Sequence, residues 1–155
     1  MMILTNNLNP GGCQDNKINM ADTFSQIYIQ AVFAVKGRGN FLLNPWRKEE
    51  FKYMSDIIRG KGQKAIIVNG VTDHVHLFIG LKPSMAASDL VRDVKNNTSN
   101  FINGQRFLRG KFFWQDGYGV FSYSQIDQVY HYILNQEEHH RKKHLRKNTW
   151  DFAKF

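Results

Sequence analysis

Apolar and polar positions alternate where the folded part of the chain opens. In SQIYIQAVFAV, Ile27, Ile29, Ala31, Phe33 and Val35 recur at period two, the repeat of a strand that buries one face. The period then lengthens. In NPWRKEEFKYMSDIIRGKG, Phe51, Met54, Ile57 and Ile58 fall on one side of a helix. Asn44 is placed to cap it, Pro45 suits its first turn, and Gly60 and Gly62 end it. KAIIVNGVTD and HVHLFIGL read as two more strands, so close together that only a hairpin-like connection fits between them.

A second helix follows in KPSMAASDLVRDVKNNTSNFING, with Ser84 as its cap, Leu90, Val94, Thr98 and Phe101 as its apolar stripe, and Gly104 as its stop. GKFFWQDGYGVFSYS reads as a short strand, a turn at QDG and another strand. A third helix starts in SQIDQVYHYILNQEEHHRKK, where Ser124 and Asp127 have the spacing of a capping box. The order β-α-β-β-α-β plus a helix predicts an α+β fold: a ferredoxin-like antiparallel sheet with two helices on one face and an appended C-terminal helix. A chain of 155 residues fits one domain, assigned to 21–150. Residues 1–20, rich in Asn and Gly, read as a loose leader and 151–155 as a tail, with Met20 a candidate start.

One strand breaks its own pattern. In GVTDHVHLFIGL, Val75, Leu77, Ile79 and Leu81 line one face, and His74, His76 and Phe78 the other. The aliphatic row is complete without histidine and should face the helices. The imidazoles then sit side by side on the helix-free face, about 7 Å apart at their Cα atoms from the strand rise. They are either a pair of surface histidines or two neutral ligands for a divalent cation, which two ligands seldom hold alone.

Composition sharpens the choice of partner. The formal charge is +8, from 21 Lys and Arg against 13 Asp and Glu, and the pI is about 9.7. That excess favours a polyanion such as nucleic acid. Basic runs occur at RGKGQK and HHRKKHLRK, and RFLRGKFFWQDGYGVFSYS interleaves cations with aromatic rings. Such a mixture suits single-stranded nucleic acid, unless the rings are core. Arg59, Lys61, Lys64, Arg92, Lys95, Lys111, His140 and Arg141 are the candidate phosphate contacts. No apolar run is long enough to span a membrane. A single cysteine, Cys13, and the lack of a visible secretory signal suggest a reducing compartment, the cytoplasm.

The last helix offers what the histidine pair lacks. Tyr132 and Gln136 are four residues apart and project from one helix face, which Gln128 and His140 extend by a turn each way. Gln136 can supply a carbonyl oxygen to a hard cation, and Tyr132 would then stand beside that cation as a nucleophile. The alternative is a tyrosine packed against the sheet.

DHVHLF, the tract ending FFWQDGYGVFSYS, and YILNQEEHHRKKH together resemble the single-tyrosine HUH (Y1) transposases of bacterial insertion sequences, a group that includes REP-associated tyrosine transposases. The likeness spans roughly Thr23 to Lys143. It implies that His74, His76 and Gln136 bind Mg²⁺ or Mn²⁺ and that Tyr132 is the catalytic nucleophile. It also implies cleavage and rejoining of single-stranded DNA beside hairpins at element ends, through a 5′-phosphotyrosine. The enzymes of this group are homodimers in which the tyrosine helix can complete the partner's site. The rival readings are a non-catalytic single-strand binder of the same fold and a hydrolase that uses the histidines with water.

Overall fold

The computed structural model describes residues 25–143. The proposed leader, Met20, Cys13 and the 151–155 tail lie outside that span. Strand β1 (Ile27–Ala34) is central, and it pairs antiparallel with β3 (His74–Leu81) and with β4 (Gly119–Ser122). β2 (Lys64–Gly70) pairs with the outer side of β3, which gives the order β2-β3-β1-β4. This is the ferredoxin-like α+β arrangement the pattern predicts. Gly70 keeps the β2–β3 connection tight, because a Cβ there would lie 2.3 Å from the carbonyl oxygen of His74.

Helices α1 (Trp46–Gly60) and α2 (Ala87–Gln105) pack on one face of the sheet. Met54, Ile58, Leu90 and Val94 meet Val75, Leu77 and Ile79 there, and all seven are completely buried. The aliphatic row of β3 therefore faces the helices, as its alternation predicts. The opposite face departs from expectation. It is covered by α3 (Ile126–Leu134), whose Val129 and Ile133 pack on Phe78. A register irregularity between Ala65 and Ile67 lets both Ile66 and Ile67 join this second, smaller cluster.

Several ends differ from their sequence signals. Pro45 rather than Asn44 occupies the cap of α1, because the Arg47 N–H is already taken by the Leu43 carbonyl at 3.0 Å. A turn in which the Met85 N–H meets the Lys82 carbonyl precedes α2, so the helix starts three residues after Ser84. Gly104 lies inside α2, which ends where Arg106 turns left-handed at φ 54°. Gln125, not Ser124, caps α3, without a side-chain hydrogen bond. The strand expected at GKFFW is a single bridge between Trp114 and Val35. Phe112 and Trp114 turn inward and meet edge to face at 4.9 Å, so part of that aromatic tract is core. Phe113, Tyr118, Phe121 and Tyr123 stay exposed.

The predicted third helix is two helices. It breaks at Asn135, and α4 (Gln136–Lys143) continues beyond. The carbonyls of Ile133 and Leu134 have lost helical partners at the break. The Asn69 amide of β2 donates to both, at 2.9 and 3.1 Å. Arg47 of α1 forms an ion pair with Glu137, which ties the start of α4 to the body of the domain.

Candidate metal and tyrosine site

β3 presents His74 and His76 on one face, and α3 and α4 close over them. They are 8% and 3% exposed, with ring centroids 5.1 Å apart, so they are not surface histidines. Burying an imidazole requires partners for its nitrogens. His74 Nδ1 lies 2.6 Å from the Asp73 carboxylate, and His76 Nδ1 lies 2.8 Å from Gln30 Nε2. Burial pushes the Asp73 carboxyl up. The hydrogen bond from His74 and the electrostatic influence of the neighbouring His74, Arg38 and His140 side chains outweigh that and hold it below its ordinary range.

The break at Asn135 aims two helix segments at the pair. The Tyr132 ring is 6.3 Å from that of His76, and the His140 ring is 4.8 Å from that of His74. Gln136 lies one turn from each of these residues and is 1% exposed. Its Nε2 meets the Tyr132 carbonyl at 3.3 Å, so Oε1 is the end of the carboxamide with lone pairs to give. Tyr132 itself is 40% exposed and lines an open cleft of about 440 Å³ with Gln30, Ser122, Tyr123, Gln125 and Gln128. Burial, and then the neighbouring Tyr132, raise the Tyr123 phenol above its usual range. The His139 ring stands 5.4 Å from Tyr132 on the other side.

The donor chemistry fits a hard divalent cation. Asp73 can only accept, which keeps the His74 proton on Nδ1 and the lone pair on Nε2. Two imidazoles and a carboxamide oxygen are neutral and leave the ion its full charge. Among the described residues no group of three or more His, Cys, Asp or Glu has metal-holding geometry.

The basic candidates divide. Arg59 pairs with Asp56, Lys61 with Asp93 at 2.7 Å, and Arg92 with Asp89 and Asp93. Lys95 Nζ donates to the carbonyls of Gln115 and Asp116. Burial lowers its pKa, partly offset by Asp116. These four lie on or beside α1 and α2, across the sheet from the imidazoles. Lys64, Lys111 and Arg141 are exposed, and His140 is within the site. Sequence reasoning missed Asp73, Gln30 and Asn69. Asp73 had a signal, as the acid adjoining a His-x-His. Gln30 had a weaker one, as an amide in an otherwise apolar strand.

A ferredoxin-like sheet with a buried His-x-His and a tyrosine helix beside it defines the HUH class. The chain belongs to the family described as Transposase IS200-like, which matches residues 23–136. A candidate transposase from Deinococcus radiodurans R1 shares the fold with a TM-score of 0.62 and 22% identity, over 74% of this chain and 94% of that one. A REP-associated tyrosine transposase, solved bound to a REP hairpin, has a TM-score of 0.55 and 14% identity, over 76% of this chain and 68% of that one. No protein of curated function matches. Among the described residues no helix is long and apolar enough to cross a membrane.

Proposed function

We propose that this transposase-family chain cuts and rejoins single-stranded DNA through Tyr132, with Mg²⁺ or Mn²⁺ held by His74, His76 and Gln136. The observation that carries the reading is the approach of the Tyr132 ring to 6.3 Å from that of His76 within one chain. When bound, the cation supplies positive charge to the scissile phosphate and to the departing 3′ oxygen.

Tyr132 does the covalent work. Its phenolic oxygen attacks phosphorus as the P–O3′ bond breaks, giving a 5′-phosphotyrosine and a free 3′-OH. The phenol's proton is lost and the 3′ oxygen gains one. The new ester keeps the energy of the phosphodiester, so another strand's 3′-OH can displace the tyrosine without ATP. Asn69 serves this step by holding the α3–α4 break that places Tyr132 and Gln136 a turn apart.

The substrate in this reading is single-stranded DNA marked by hairpins. Support comes from the REP hairpin held by the structural neighbour and from the charge of +8. Exposed Lys64, Lys111 and Arg141 supply phosphate contacts, with Tyr123 and Phe121 as stacking surfaces. A homodimer belongs to the proposal. A purely binding protein would have no need to bury a His-x-His pair under a tyrosine.

The test is incubation of labelled hairpin-bearing single strands with the protein and Mn²⁺, read as a covalent band on a denaturing gel. The band is expected with the wild type and absent with Tyr132→Phe. An adduct that survives the substitution overturns the assignment.

A further inference from the structure

Gln30 sits on β1, on the face that carries His76. In the β1–β3 register Val32 stands opposite His76 and Gln30 opposite Phe78. Gln30 and His76 are therefore diagonal neighbours, within reach of a long side chain. The bridge is made at 2.8 Å between Gln30 Nε2 and His76 Nδ1, and the two residues are 4% and 3% exposed. A carboxamide buried in an apolar strand is costly unless it is bonded, and its bond here is to the imidazole.

The two histidines differ in what holds Nδ1. His74 meets a carboxylate, which only accepts, so its proton has one place to be. His76 meets a carboxamide, which has a donor end and an acceptor end. With Nε2 of Gln30 toward the ring, Nδ1 accepts and the neutral imidazole carries its proton on its own Nε2. A proton there bars a cation from that nitrogen. Turned about its last bond, the carboxamide presents Oε1 instead. Nδ1 then donates, and the Nε2 lone pair becomes available. The exchange moves one proton between ring nitrogens and leaves the charge unchanged.

We infer that Gln30 is a positioning residue that sets the tautomer of His76, and with it whether that histidine can take a cation. The inference rests on the reading of His74, His76 and Gln136 as a cation site, and it assigns the site a control that the His74 side lacks. Gln30 also lines the cleft beside Tyr132, so a strand entering the cleft passes the same carboxamide.

The experiment is long-range ¹H–¹⁵N NMR of the full chain with labelled histidine at pH 8, alongside Mn²⁺ calorimetry. In the wild type without added metal, His76 should carry its proton on Nε2. Added Mg²⁺ should move it to Nδ1 while the His74 proton stays on Nδ1. In Gln30→Glu, Nδ1 of His76 should be protonated even without metal, and Mn²⁺ should bind at least as tightly as in the wild type. In Gln30→Leu, Mn²⁺ affinity should fall by about tenfold or more. A merely structural glutamine predicts the opposite ranking, because a buried carboxylate disrupts more than leucine does. A His76 tautomer that is the same in all three proteins overturns the inference. Tautomers that shift as described in a protein that takes up no cation leave Gln30's control of the ring standing and overturn the metal reading instead.

Discussion

The two faces of β3 show how one strand carries two unlike tasks. Val75, Leu77 and Ile79 point into the α1–α2 core, where each is completely buried by apolar neighbours. His74 and His76 point the other way and are buried almost as deeply under α3 and α4. On the core face burial itself is the stabilising term. On the site face burial costs free energy, and the hydrogen bonds that His74 makes to Asp73 and His76 shares with Gln30 offset it. Glu50 departs from that rule on the core side. Glu50 of α1 is fully buried, neither of its oxygens has a hydrogen-bond partner, and burial pushes its pKa up to about 8. A polar group without a bond is kept there by staying protonated, whereas the site face keeps its polar groups by pairing them.

That contrast can be broken from either side. His76→Val makes the site face as aliphatic as the core face. DNA cleavage should drop by about 10²–10³-fold or more, the scale for losing one charge-stabilising element, while the thermal midpoint stays within a few degrees. A variant that still cuts at the wild-type rate removes His76 from the chemistry. Leu77→Ala, the next residue along, should do the reverse. It should lower unfolding free energy by about 3 kcal/mol in a denaturant titration, with activity per folded molecule retained.

Glu50→Gln tests the exception. The raised carboxyl binds its proton more tightly folded than unfolded, so its contribution is complete below about pH 4.5 and is lost as pH rises toward 8. The variant should therefore gain on the wild type as pH rises, by roughly 2 kcal/mol at pH 8 once the cost of a buried amide is included. Parallel stability curves across that window would remove the buried-acid account. The smallest effect belongs to Asp73→Asn. Loss of the fixed acceptor at His74 should weaken Mn²⁺ binding about tenfold by calorimetry, with little change in melting.

Much of this arrangement was legible in the chain. Period-two alternation sorted β3 into its two faces, and helical spacing placed Met54, Ile58, Leu90 and Val94 in the core. The His-x-His spacing put both imidazoles on one face of β3, and the Tyr132 ring stands 6.3 Å from that of His76. What could not be read were interactions across elements. Nothing near Asn135 in sequence announces that Asn69, more than sixty residues earlier, caps the carbonyls exposed where the helix breaks. The cap signal at Asn44 failed because a local backbone turn had already taken the Arg47 N–H, and that at Ser84 because a turn from Lys82 to Met85 comes first and the helix starts only at Ala87. Lys61, Arg92 and Lys95 looked like free cations because a sequence shows charges without their partners, and here those partners are Asp93, Asp89 and two loop carbonyls.

The central claim is that a tyrosine beside paired imidazoles becomes covalently joined to DNA. It is tested most directly by digesting the adduct formed with Mn²⁺ and a hairpin-bearing single strand, then locating the attached nucleotide by mass spectrometry. The account predicts a 5′-phosphate on the peptide containing Tyr132, absent when His76 is replaced by valine. Attachment at Tyr123 or Tyr130, or an equal yield without the histidine, would contradict it.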